Sequence, residues 1–459
     1  MPPPDPLEDG GIAAFARRFR CGDLKSASVT RGFLDRIEAI DPRVGAFWHV
    51  DPEGAMAAAE AMDAARAVGL DLGPLMGVPV AIKDLIAVDG MPTTCGTRMS
   101  PAAFPAAEGT HVRTLRLCGC VILGKTATVE LAFGTTGINR VLGTPRNPRD
   151  PEIFRICGGS SSGSGAAVAA GLTGFAIGTD TGGSVRIPAA LCGVFGHKTT
   201  RGLIATDGVF PLSPTFDTIG PLARSAADAA LIFSAITHRE VPEFSVDALR
   251  LRRPSNHFFD DLEPGVADVV ADALDRLDAA GASIAPISVP EAAERRWVYP
   301  AIVPAELISA IGTDRFKAGR HRMDELTAHR AEAGLSITAV TYIDAIKQKA
   351  ALARQLRRRL PPGQTLATPT VPIVAPAAAE IEDVGRGLDT HDRLVRNVQP
   401  IGLFDQCAVS LPLDGAAQGV AMPVGLQLAA AGGQDSELLG VACAVERLLC
   451  GPAATHDDW

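Results

Sequence analysis

Short apolar runs bounded by glycine and proline, alternating with segments of helix length, constrain this chain more than any other feature. MGVPVAIKDLIAV at 76–88 and CGCVILGKT at 118–126 have the texture of buried strands. Residues 110–117 between them carry a helical pattern. A helix of small residues is expected over 162–172, then a strand at 174–178, then a helix with Pro188 in its first turn. Alternation of this kind predicts an α/β layered core.

The flanks differ in character. Residues from about 7 to 68 read as helical, with two helices placed within them. In the first, Ser26 or Ser28 caps a helix through Phe33, Ile37 and Ile40 that ends near Asp41-Pro42. The second covers 55–68 and stops at Gly69. Residues 238–361 are richer in charge and in helix-length patterns, such as 266–280 and 342–360. Strand texture returns in TLATPTVPIVAP at 365–376 and GVAMPVGLQLAAA at 419–431, followed by a helix over 437–449. The expected organisation is one domain over 1–459. N-terminal helices occupy 5–68, and a core at 70–235 and 362–450 is interrupted by a helical segment at 238–361.

Composition excludes several function classes. With 459 residues, 47% of them hydrophobic, the chain can bury a large core. Its net charge of −9 argues against a nucleic-acid binder, which usually carries basic excess. The nine cysteines, scattered from Cys21 to Cys450 without a CxxC pair, read as reduced thiols of a cytoplasmic protein. No signal-peptide pattern and no membrane-length apolar run is present, and no Cys/His spacing suits zinc.

Two motifs mislead. GCVILGKT at 119–126 matches the phosphate-loop pattern, but its interior (Cys120, Val121, Ile122, Leu123) is strand chemistry, so no loop forms to cradle a phosphate. GSSSG at 159–163 matches a nucleophile elbow centred on Ser161, yet no convincing strand precedes it. The histidines that elbow would need, His197, His257 and His391, read as surface or capping residues. His321 and His329 lie in a charged helical stretch and read as solvated.

The glycine- and serine-rich stretch at 157–190 holds the remaining chemistry. In GTDTGGSVRIP at 178–188 a strand feeds a tight glycine turn ending in Ser184. Glycines admit close approach of a substrate, and successive N–H groups of such a turn converge on an anion. Thr181, Gly182, Gly183 and Ser184 are therefore candidate oxyanion donors, with Ser184 as nucleophile. Lys83 ends the apolar run GVPVAIK. Desolvation there disfavours the ammonium form and makes the amine a candidate base. Asp180 and Arg186 flank the nucleophile and are expected to orient the loop as an ion pair.

Together these segments resemble the amidase signature family. The resemblance runs through GVPVAIKD at 77–84, GKTATVEL at 124–131, TPRNP at 144–148 and GGSSSGSGAAVAAG at 158–171. It continues through GTDTGGSVRIPAALCGVFGHKTTRG at 178–202, PLSPTFDTIGPLARSAADAAL at 211–231 and PVGLQLAA at 423–430. It implies a single large mixed β-sheet core surrounded by helices. It also implies a Ser–Ser–Lys triad of Lys83, bridging Ser160 after a cis Gly159–Ser160 bond, and nucleophilic Ser184. Gly158, Gly159 and Ser161 are then expected beside the substrate. No metal or cofactor is implied. His197 and Thr199 depart from the family pattern, downstream of the triad. The implied activity is hydrolysis of an amide, with carbamates and esters within reach of the same machinery, by a monomer or homo-oligomer. The alternative is the glutaminase subunit of a tRNA-dependent amidotransferase, which works in a complex. Residues 238–361, expected to shape the pocket, carry no recognisable motif.

Overall fold

β2 (Pro79–Lys83) is the strand from which the rest of the architecture is most simply described. All five of its residues are buried, as a parallel central strand covered on both faces requires. It pairs in parallel with β3 (Val121–Thr126) on one side and β4 (Phe175–Asp180) on the other. β1 (Phe47–Val50) lies antiparallel on β3. Beyond β4 come β6 (Thr218–Ala223), β5 (Phe195–Lys198), β10 (Cys407–Leu413), β11 (Val424–Ala430) and β9 (Thr365–Pro369), each antiparallel to its neighbour. β7 (Arg250–Pro254) and β8 (Ser283–Ile287) close the far edge in parallel. The result is a single mixed sheet of 11 strands, in the order β1-β3-β2-β4-β6-β5-β10-β11-β9-β7-β8, packed between helices. This is the expected fold class. The computed structural model describes residues 3–8, 10–100 and 102–449, so Cys450 and both chain ends lie outside it.

The strand edge at β7 and β8 comes from the 238–361 segment, which sequence texture marked only as helical. Arg250–Pro254 reads as charge, because its buried positions alternate with exposed arginines at the sheet margin. The helices of that segment, Arg295–Ile311, Glu325–Glu332 and Ala339–Arg359, instead pack on one another around a second apolar cluster.

Helix boundaries follow local chemistry with two corrections. The Ser26–Val44 helix continues through Pro42 rather than ending before it. Pro42 sits in the last turn, and the Asp41 carboxylate takes the N–H groups of Ala46 and Phe47 just beyond. Neither Ser26 nor Ser28 caps this helix. Asp63, from the neighbouring Pro52–Ala67 helix, accepts the N–H groups of Ser26 and Ala27, leaving the Ser26 hydroxyl to bond the Gly77 carbonyl at 2.8 Å. The expected helix at 110–117 is found as Thr110–Leu117.

The small-residue helix Ser162–Ala169 is buried along its whole length. A Cβ on Gly163 would lie 2.3 Å from the Ala46 carbonyl oxygen and 2.4 Å from the Ala127 nitrogen. Nothing larger than hydrogen fits, so the helix lies directly against the backbone beside β3 and holds the start of the helix, at Ser160–Ser162, under the sheet's carboxyl edge. Among the described residues no helix is long and apolar enough to cross a membrane.

Candidate active site

The carboxyl ends of β2 and β4 lie side by side, because Val80, Ala81 and Ile82 pair with Phe175, Ala176 and Ile177. Lys83 therefore arrives beside Thr179. Its Nζ donates to Thr179 Oγ1 at 2.7 Å and lies 2.8 Å from Ser160 Oγ. Lys83 and Ser160 are both fully buried, and no carboxylate pairs with the amine among the described residues. Burial pulls its pKa down to about 7, against the more distant charges of Asp217 and Asp180, which hold it up. At neutral pH a large fraction of this lysine is uncharged amine, able to accept a proton.

The Gly159–Ser160 peptide bond is cis, as expected. The Ser160 carbonyl accepts from Thr128 Oγ1 at 3.0 Å and from Val129 N–H at 3.2 Å, which anchors the backbone at this residue. Ser184 lies in the wall of a cavity of about 590 Å³, while its carbonyl accepts the N–H of Ser161 at 3.2 Å. The structure thus joins Lys83 to Ser160 directly. Ser184 is tied to this segment through its backbone, and no hydrogen bond joins the two serine hydroxyls.

The glycine turn is held from behind. Asp180 and Arg186, both fully buried, form the expected pair through two bonds of 3.0 Å. Arg186 Nη1 also reaches Gln427 Oε1 at 2.7 Å and the Val398 carbonyl at 3.0 Å. Burial acts to raise the Asp180 carboxyl, but the Arg186 charge and hydrogen bonds outweigh it and hold the group below the usual carboxylate range. The same carboxylate accepts the N–H groups of Gly183 at 2.8 Å and Val185 at 3.2 Å.

That arrangement separates the four expected oxyanion donors. Thr181, Gly182 and Ser184 line the cavity. Gly183 does not, and its N–H is committed to Asp180. Its requirement is conformational: φ is +118°, and a Cβ would meet Val398 Cγ2 at 2.3 Å. The expected substrate neighbours also fall behind the wall. Gly159 N–H bonds the Thr135 carbonyl at 2.7 Å, Gly158 is packed against Ile187 and Leu191, and Ser161 Oγ bridges the N–H and carbonyl of Thr179 at 3.3 Å.

The phosphate-loop lookalike is an interior strand. Lys125 Nζ pairs with Asp84 Oδ1 at 3.0 Å and bonds Thr93 Oγ1 at 2.7 Å. The histidines need correction. His197 is fully buried against Asp435, 3.3 Å from its carboxylate. His257 keeps its capping reading, with Nε2 2.9 Å from the carbonyl of Arg396, the residue that ends the Val384–Val395 helix. His391 lines the cavity, bonded to Thr135 Oγ1 at 2.6 Å, and burial keeps its pKa well below the ordinary imidazole value.

Several wall residues carried no motif. Tyr299 stacks on Phe216 with centroids 4.2 Å apart, and its hydroxyl donates to the carbonyls of Thr181 and Gln399 at 3.2 and 3.1 Å. Arg295, Arg330 and Gln399 line the same cavity. Thr179 alone had a usable signal, since strand alternation puts it on the same face as Thr181.

A large mixed sheet carrying a buried lysine–serine contact beneath a glycine turn defines a class of amide C–N hydrolases, and the chain's relatives agree. Residues 28–439 match the Amidase family model. The chain is 35% identical to a 2-amino-5-chloromuconic acid deaminase from Comamonas testosteroni, over 95% of this chain and 96% of that one. It is also 35% identical to a glutamyl-tRNA(Gln) amidotransferase subunit from Moorella thermoacetica, over 93% of each. Among solved structures, one described as an amidase superposes with a TM-score of 0.88 at 31% identity, covering 96% of this chain and all of that one. A peptide amidase from Stenotrophomonas maltophilia gives 0.79 at 26%, covering 99% of this chain and 100% of that one. The chain belongs to the amidase signature family and is an amide-hydrolysing enzyme.

Proposed function

We propose that the protein hydrolyses a small-molecule amide through a Lys83–Ser160–Ser184 relay and an acyl-enzyme. The observation that carries this reading is the buried Lys83 amine, 2.8 Å from Ser160 Oγ and without a carboxylate partner among the described residues. Ser184 Oγ attacks the carbonyl carbon as its proton passes to Ser160, whose own proton moves to neutral Lys83. The oxyanion is held by the N–H groups of Thr181, Gly182 and Ser184. The C–N bond breaks as the relay returns the proton to the leaving amine. Water then attacks the acyl-enzyme, giving up a proton to the relay, and the acid leaves with Ser184 restored. Linking the serine hydroxyls requires a Ser184 rotation on substrate binding, in keeping with catalytic hydrogen bonds that tighten only in the Michaelis complex.

Carbamates and esters present the same carbonyl to the same groups and fall within the proposed scope. A cytoplasmic protein, acting as a monomer or homo-oligomer, fits the free thiols of the described cysteines. The identity to glutamyl-tRNA(Gln) amidotransferase subunits supports a second reading, a glutaminase working within a complex. A hydrolysis panel of small amides, anilides, carbamates, esters and glutamine, run on the isolated chain with gel filtration, separates the two. Amide cleavage by the lone chain with glutamine untouched supports the first. Glutamine as the preferred substrate supports the second. Full activity of Ser184→Ala on the best amide rejects the relay.

A further inference from the structure

The cavity holds more positive charge than its own residues neutralise. Arg295 and Arg296 share one carboxylate: Asp392 lies 2.9 Å from the first and 3.3 Å from the second. Arg295 Nε is buried without a hydrogen-bond partner among the described residues. Arg330 enters the same cavity from the Glu325–Glu332 helix. It donates to the Phe133 carbonyl at 2.8 Å, and its guanidinium lies 4.1 Å from the Phe133 ring centroid. No carboxylate pairs with it among the described residues. Burial pulls its pKa down to about 10, which leaves it cationic at neutral pH.

Arg330 is half-buried in this wall, and its guanidinium keeps donors that neither the Phe133 carbonyl nor any carboxylate among the described residues takes up. His391, held neutral nearby, supplies no negative charge. The rest of the wall near these groups is apolar, through Val303, Pro304, Leu388 and Val395. This arrangement suits a ligand with an apolar body and an anionic end. The Phe133 carbonyl that holds Arg330 is two residues from the Thr135 carbonyl, which accepts Gly159 N–H beside Ser160. The cationic end of the cavity is therefore joined to the reacting end by a strip of chain no longer than ~7 Å. On a chain of net charge −9, a cationic cavity also draws anions locally against the overall field.

We propose that Arg330 is a specificity-determining residue that binds a carboxylate carried by the substrate, so that the enzyme selects amides of acidic compounds. The proposal rests on the amidase reading of the same cavity. A bidentate guanidinium–carboxylate contact matches the donors left over on Arg330.

The test uses matched pairs. Succinamic, glutaramic and adipamic acids are compared with butanamide, pentanamide and hexanamide, and N-acetylglycine with N-propylacetamide, which places the carboxylate on the amine side. At least a tenfold higher kcat/KM for the anionic member is expected in one series. In Arg330→Gln that ratio falls toward one, whereas Arg330→Lys, which keeps the charge but not the bidentate fork, retains part of it. A purely structural role lowers both members alike and overturns the proposal, as does a wild-type ratio near one. Should Arg330→Gln fail to fold, the wild-type ratio and its fall with rising ionic strength decide. Calorimetric titration of Ser184→Ala with the same acids reads binding without turnover. Carboxylate binding weakened by a second Arg330→Gln change, with no pair hydrolysed by wild type, keeps this site and rejects the amidase reading of it. Hydrolysis of neutral amides without preference does the reverse.

Discussion

The 70–235 core and the 238–361 segment contribute to one cavity in opposite ways. The core supplies the proposed reacting groups from strand ends and a glycine turn, each locked by buried backbone contacts. The later segment supplies Arg295, Tyr299 and Arg330 from helices that pack on each other. The proposed chemistry, which tolerates little displacement, sits on the sheet; the proposed recognition sits on helices whose side chains can vary without moving the sheet. This division predicts that core substitutions abolish turnover or folding, while substitutions in the later segment redistribute substrate preference.

The sharpest break of that contrast is Ser184→Ala, expected to lower kcat by about 10⁴-fold or more on any substrate with KM little changed. Retention of rate would move the nucleophile elsewhere. Lys83→Met is expected to cost roughly 10²–10⁴-fold in kcat. The native profile carries a linked prediction. With the Lys83 pKa lowered to about 7 and its neutral amine as the proposed base, kcat/KM is expected to rise roughly tenfold per pH unit below that value and to level off above it. A flat profile from pH 5 to 8 would remove Lys83 as the base.

Asp180→Asn tests support rather than chemistry. It leaves Arg186 buried without its counter-charge, at a cost of about 3–5 kcal/mol read as lost thermal stability. An unchanged melting temperature would mean that the turn is held by other contacts. Tyr299→Phe, in the later segment, is the mildest. Loss of the hydroxyl bonds to Thr181 and Gln399 is expected to cost about 0.5–1.5 kcal/mol and to appear mainly in KM, checked by steady-state kinetics on the best substrate. A kcat loss rivalling that of Lys83→Met would erase the distinction between the two regions.

Legibility followed the same division. Lys83, Ser160, Ser184, Asp180 and Arg186 were readable because each sits at a fixed offset from glycines and apolar runs that local geometry demands. The roles of Gly158, Gly159, Gly183 and Ser161 were not, since whether an N–H faces a ligand or a neighbouring carboxylate depends on what packs behind it. Sequence also hid β7, whose arginines mask strand alternation, and β8 beside it, and it read His197 and His391 as surface or capping residues when the first is fully buried and the second lines the cavity.

By itself the amino-acid order determined the α/β class and the family, and it singled out the side chains proposed to react. These depend on periodicity and short-range spacing, which the chain carries wherever it folds. Only the tertiary structure decided that Lys83 meets Thr179 as well as Ser160, that Gly183 N–H is spent on Asp180, and that Arg330 enters the cavity without a counter-charge among the described residues. Those facts depend on which distant segments share a low-dielectric space. Desolvation and pairing there are properties of the assembled neighbourhood rather than of any one stretch of chain.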